Sequence, residues 1–165
     1  MQAEPKDDER DIGVRRAQAF VVNSLGARAQ SMAEIEGKLS RRGVAPDIAA
    51  EVVLDALRLG YLDDEALATQ LAQGSRTRRH GRARAARDLR RRRLPEPEIA
   101  AALEAAYADA DERELAAAAL GSRPCGDERE RRRAVAYLAR RGFSTGVAWQ
   151  VVRLRDGEGR GDSRT

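Results

Sequence analysis

Between its two ends the chain carries apolar residues at helical spacing throughout, with no stretch that calls for strands. Val14, Ala17, Val21 and Leu25 fall on one face of a helix over 14–27. Ser31 followed by Glu34 reads as a capping box that opens a second helix, with Met32, Ile35 and Leu39 inward and a stop at Gly43. Pro46 suits the first turn of a third helix, whose buried stripe is Ile48, Val52 and either Val53 or Leu57. The same plan predicts helices over 64–79, 82–93 and 96–108, then over 112–120 with Asp111 as cap, over 128–141, and from Ser144 with Val147, Trp149 and Val151.

This succession contains an internal repeat. LSRRGVAPDIAAEVV (39–53), LRRRRLPEPEIAAAL (89–103) and LARRGFSTGVAWQVV (138–152) align without gaps, so that Leu39, Leu89 and Leu138 coincide. Gly43, Arg93 and Gly142 also coincide, followed by Val44, Leu94 and Phe143. A period of 50 and then 49 residues points to a stacked supersecondary unit too small to fold alone. The expected organisation is all-α, with three-helix repeats at 13–62, 63–110 and 111–154. Acidic residues 1–12 and Gly-rich residues 155–165 flank them and are expected to be disordered tails. Arg93 stands where a helix-ending glycine is expected and should give a looser cap, and Gly74-Ser75 should interrupt helix 64–79.

The segment GYLDD (60–64) joins the first two repeats. Gly60 can end a helix, Tyr61 and Leu62 can pack at the junction, and Asp63 can cap the next helix with Asp64 in its first turn. This reading is structural and needs no ligand.

Composition adds the charge. The chain has 29 arginines but only two lysines, Lys6 and Lys38, a formal net charge of +4, and 42% hydrophobic residues, many of them alanine. Arginine presents a planar fork suited to phosphates and carboxylates, although a GC-rich gene would give some of the same bias. Residues 76–93 hold ten arginines and one acid, Asp88, whereas 96–114 hold seven acids and one arginine. On helix 82–93 the stripe Ala85, Ala86 and Leu89 faces inward. Arg84, Arg87 and Arg91 then share an outer face, flanked by Arg82, Arg90 and Arg93 and extended by Arg76, Arg78 and Arg79. Arg131, Arg132, Arg133, Arg140 and Arg141 form a smaller basic group. Such a patch suits a phosphate backbone or an acidic protein surface.

No catalytic constellation accompanies it. His80 is the only histidine and is expected to be a solvated loop residue whose charging the adjacent arginines oppose. Cys125, the only cysteine, is expected in a polar loop as an incidental thiol. No phosphate loop, dinucleotide fingerprint or metal motif is present, so neither an enzyme nor a cofactor or metal is expected. The polar N-terminus and the lack of a long apolar run lead to the expectation of a cytoplasmic protein without membrane contact. Nothing demands an oligomer.

GYLDD, the arginine-rich helix opened by Arg76…Gly81, and YLARRGFS (137–144) together resemble the RecX family over roughly residues 14–154. The resemblance implies tandem three-helix repeats in an elongated, curved molecule. It implies a regulator that binds RecA and the RecA–DNA filament, lies in the filament groove or blocks its extension, and inhibits ATP hydrolysis, strand exchange and the co-protease activity of the SOS response. An autonomous helical DNA-binding protein, touching single- or double-stranded DNA through its phosphates, is the alternative. A helical scaffold for an acidic protein is a third reading.

Overall fold

The computed structural model describes residues 5–161, with side chains described over 8–155. Among these residues every regular element is a helix: α1 (Pro5–Ala27), α2 (Met32–Arg41), α3 (Pro46–Arg58), α4 (Asp64–Thr77), α5 (Arg82–Arg91), α6 (Glu96–Tyr107), α7 (Glu112–Leu120), α8 (Glu128–Arg140) and α9 (Thr145–Gly161).

By packing, the chain divides into two units. One comprises residues 1–68 and 90–98, the other residues 69–89 and 99–165, so the middle sequence repeat contributes to both. In the first unit α3 packs on α1 and α2. Its core joins Val14, Ala17, Val21, Ile35, Leu39, Val52, Val53, Ala56 and Leu62. Val53 fills the third position of the α3 stripe, while Leu57 stays exposed. In the second unit α7, α8 and α9 pack on one another around Ala116, Leu120, Val135, Leu138, Phe143, Val151 and Val152.

The helix starts are built as the sequence dictates. Ser31 and Glu34 form a full capping box on α2, and the Asp111 carboxylate accepts from the N–H groups of Arg113 and Glu114 on α7. Asp127 with Glu130 makes a second capping box on α8. Asp63 accepts from Ala66 N at 2.8 Å and so caps α4. Asp64 does more than sit in a favourable dipole: its Oδ1 accepts from Met32 N at 2.9 Å, which satisfies an otherwise orphaned donor at the start of α2.

Several expectations are corrected. The supposed tail over 1–12 is helical from Pro5 onward, residues 1–4 lying outside the described part. Proline suits a first helical position, and Arg10 ties this turn to α3 through Glu51 at 2.6 Å and Asp47 at 3.6 Å. At the other end α9 runs to Gly161, and Val152 is its last buried position among the residues whose side chains are described, with 162–165 outside the described part. Extending a packed helix adds a hydrogen bond for each residue fixed, without a new nucleation cost. Helix α4 is continuous through Gly74-Ser75. Tyr61 is 59% exposed rather than packed. Gly60 takes φ +72°, so the chain reverses and Leu62, only 2% exposed, enters the core instead. Arg93 adopts φ +57°, the left-handed geometry of Gly43 and Gly142, although the bonds from Val44 N to the Leu39 carbonyl and from Phe143 N to the Leu138 carbonyl have no counterpart from Leu94 among the described residues. Arg79 does the same after α4. That costs a non-glycine residue roughly 1 kcal/mol, and surrounding contacts must hold it. Cys125 is buried in the second unit's core, with Sγ directed at the Arg123 carbonyl.

Candidate functional site

The basic stretch is less uniform in space than in sequence. Arg76 meets Asp109 at 2.8 Å and also donates to the Ala106 carbonyl. Arg82 pairs with Glu104 at 3.1 Å. Arg90 holds Glu96 with two bonds of 2.6 and 3.0 Å. The acids of 96–109 therefore neutralise part of the patch, although along the chain the two signs are segregated.

Arg84 departs from the expected outer face. It is half-buried, lies 3.6 Å from Asp88, and donates to the Arg140 carbonyl at 3.2 Å. Its backbone also abuts Gly142. Arg91 is exposed at the end of α5. Arg78, Arg79, Arg87, Arg133 and Arg140 are exposed and meet no carboxylate among the described residues.

Two turns position the centre of this surface. The turn before α5 (Arg79-His80-Gly81) lies against the turn after α8 (Arg141-Gly142-Phe143). Gly81 N donates to the Arg141 carbonyl at 2.8 Å. The Arg141 guanidinium donates to the carbonyls of Arg78 and Arg79. A Cβ on Gly81 would overlap the Gly142 carbonyl, and one on Gly142 would lie 2.5 Å from Arg84 Cβ. The two glycines are therefore required by close backbone approach, and Gly142 also by its φ of +91°.

This locking brings Arg140 and Arg141 beside Arg78, Arg79 and Arg84, joining part of the smaller basic group to the larger. Arg141 serves as a brace rather than a free cation. Arg131 and Arg132 are not joined: both pair with Glu128 near the start of α8, at 3.4 and 2.7 Å. From there to Arg140 is about 13 Å of helix rise.

His80 reports the local field. It is half-buried, with Nδ1 3.3 Å from the Ser75 hydroxyl, and its carbonyl accepts from Tyr107 Oη at 2.9 Å. It is thus a turn residue and not a solvated one. Its pKa is lowered from 6.5 first by burial, then by the positive charges of Arg84, Arg141 and Arg78. Ser75 and Tyr107, which fix this turn, gave no sequence signal. The Gly81–Gly142 contact could have been suspected from two glycines that each follow a basic run.

The first unit holds a more enclosed charge contact. Glu34 accepts from Arg92 Nε and Nη2 at 2.9 and 3.0 Å, and from Ser31 N at 3.0 Å. Burial raises its pKa, but the bonds from Arg92, Ser31 and Arg28 outweigh this and bring it down to about 2.

Residues 113–152, most of α7 to α9, match the family model described as the third three-helix domain of RecX. The regulatory protein RecX of a Mycobacterium species (strain JLS) is 32% identical over 161 residues, covering 90% of this chain and 86% of that protein. The chain belongs to the RecX family. The regulatory protein RecX of Deinococcus radiodurans is 34% identical over 138 residues, which span 82% of this chain and 66% of that longer protein. The solved RecX from Lactobacillus salivarius superimposes with a TM-score of 0.74 over 88% of this chain and 98% of that one, at 16% identity. A second RecX crystal structure gives 0.73 over 92% and 78% at 17% identity. At such identities these two speak for the RecX fold alone. Both the fold class and the family read from GYLDD, the arginine helix and YLARRGFS thus stand, within a family of regulatory proteins.

Proposed function

We propose that this chain is a non-enzymatic regulator of RecA. It binds RecA and the RecA–DNA filament and lowers ATP hydrolysis, strand exchange and co-protease activity. It acts in the cytoplasm as a monomer. The observation that carries this reading is its membership of a family of regulatory proteins over nearly its whole length. The arginine surface of the second unit supports a polyanionic target.

The anchors of that surface are Arg78, Arg87 and Arg140, which are exposed and meet no carboxylate among the described residues. Arg84 and Arg141 hold the turns beneath them. Inhibition by binding needs no chemistry from the regulator: occupying a filament end or holding one filament conformation suffices, and several weak contacts to successive protomers add by multivalency. The triple variant Arg78→Glu/Arg87→Glu/Arg140→Glu should lose inhibition of RecA while keeping its helical circular dichroism. Undiminished inhibition by a folded triple variant would reject these anchors.

The unpaired arginines also support a second reading, autonomous binding to DNA phosphates. Three phosphate contacts on single strands give a slope of log affinity against log salt of about −2. Binding of that slope without RecA, together with no effect on RecA, would favour the second reading.

A further inference from the structure

The turn after the second helix has the same plan in each repeat: Arg42-Gly43-Val44, Arg92-Arg93-Leu94 and Arg141-Gly142-Phe143. The middle residue is left-handed in all three. Two of these turns are docked, and in the same way. In the first unit Arg92 grips the entry into α2. Its guanidinium holds Glu34 and the Ala29 carbonyl, and its own carbonyl accepts from Ser31 Oγ at 2.6 Å. In the second unit Arg141 grips the entry into α5. Its guanidinium holds the Arg78 and Arg79 carbonyls, and its own carbonyl accepts from Gly81 N. Ser31 and Gly81 stand fifty residues apart, one repeat period. A single recognition mode is therefore used twice: an arginine turn receives the start of a helix, offering a guanidinium to its acceptors and a carbonyl to its donor.

The third such turn, at Arg42, receives no helix entry among the described residues. Arg42 is exposed, with its guanidinium 3.9 Å from the centre of the Phe20 ring. Arg16 and Arg41 are exposed as well, and none of the three meets a carboxylate among the described residues. The turn borders an open cavity of about 360 Å³ whose apolar wall includes Phe20, Leu39, Val44 and Ile48. That is the size range of a pocket built for a ligand or a large side chain.

We propose that this turn and cavity dock the acidic first turn of a helix in a partner protein. Carboxylates on that turn reach Arg42 and Arg16, as Glu34 reaches Arg92, and one large apolar side chain enters the cavity. Charge selects this occupant over a second copy of the chain. The α8 entry of a second copy sets four arginines, Arg129, Arg131, Arg132 and Arg133, against three acids, Asp127, Glu128 and Glu130, and Glu128 is already held by Arg131 and Arg132, so this entry is net cationic and opposes Arg42 and Arg16. The apolar wall selects a protein over a nucleic acid. The site lies apart in sequence from the arginine surface assigned above, and its occupancy does not depend on the RecA reading.

The test is fluorescence anisotropy of the full chain with a labelled, alanine-based helical peptide whose first turn carries glutamates and one phenylalanine. Saturable binding is expected, weakened about tenfold or more when the glutamates become glutamines, the size of one lost charge-assisted contact. Arg42→Glu should weaken binding similarly. Arg16→Glu, on the exposed side of α1, should do so without touching the turn, and circular dichroism should stay unchanged in both. Three results would overturn the proposal: no binding up to millimolar peptide, equal binding of the glutamate and glutamine peptides, or binding indifferent to both substitutions. Self-association in sedimentation velocity that Arg42→Glu abolishes would also overturn it, by giving the site to a second copy.

Discussion

Replacing Glu34 by glutamine removes a charge from the most enclosed ion pair of the first unit while leaving an oxygen to accept from Ser31 N. The Glu34 side chain is 15% exposed and that of Arg92 24%, so solvent screens the pair little. The Glu34 carboxyl is held at about 2 in the fold against an ordinary 4.5. Such a fall is linked to about 3 kcal/mol of stability at neutral pH. Its sign follows from proton binding. The folded value lies below the unfolded one, so the unfolded chain takes up the proton first. The stabilisation is complete above about pH 4.5 and is lost as pH falls toward 2. Glu34→Gln should therefore cost about 2–3 kcal/mol at pH 7, because the amide retains part of the bonding and a half-buried Arg92 loses its countercharge. Urea unfolding followed at 222 nm measures this at pH 7, 4 and 3. The gap between wild type and variant should narrow steadily as the pH falls. A cost below about 0.5 kcal/mol at pH 7, the level of an exposed pair, would refute the reasoning, as would a gap that does not change with pH.

Two further perturbations probe the second unit. Gly81→Ala and Gly142→Ala force a Cβ into the facing turn and should each cost at least about 3 kcal/mol in chemical unfolding. Gly146→Ala in α9, where a Cβ meets nothing within 4 Å, should be neutral or stabilise by up to about 1 kcal/mol. His80, held below its ordinary value by burial and three arginines, should make wild-type stability decline as pH falls from about 6.5. His80→Gln should flatten that decline between pH 7 and 5, and an unaltered slope would show that the ring does not report the turn's field.

Much of this architecture is legible in the sequence because it is set by short-range rules. The coincidence of Leu39, Leu89 and Leu138 marks the buried position of each second helix. Ser31, Asp63 and Asp111 announce helix starts because capping is a contact two or three residues long. What was not legible depends on the chain meeting itself far away. The arginines of 76–93 read as one patch, yet Arg82 finds Glu104, Arg76 finds Asp109 and Arg92 finds Glu34, partners up to 58 residues apart. Arg84 fell on the outer face of an isolated helix but lies against the end of α8. Arg79 and Arg93 hide two left-handed turns because the usual signal, glycine, is missing and contacts hold the conformation instead. Tyr61 and Leu62 show the reverse: each has the composition of a core residue, and only the turn at Gly60 decides which one enters.

The most direct test of the central claim is RecA ATP hydrolysis on single-stranded DNA, with this chain titrated from far below the RecA concentration up to equality. The account predicts a progressive loss of hydrolysis, beginning while the chain is still scarce relative to RecA, since a filament regulator acts at ends or at a few sites. Hydrolysis unchanged at equal concentrations of a folded chain would contradict it.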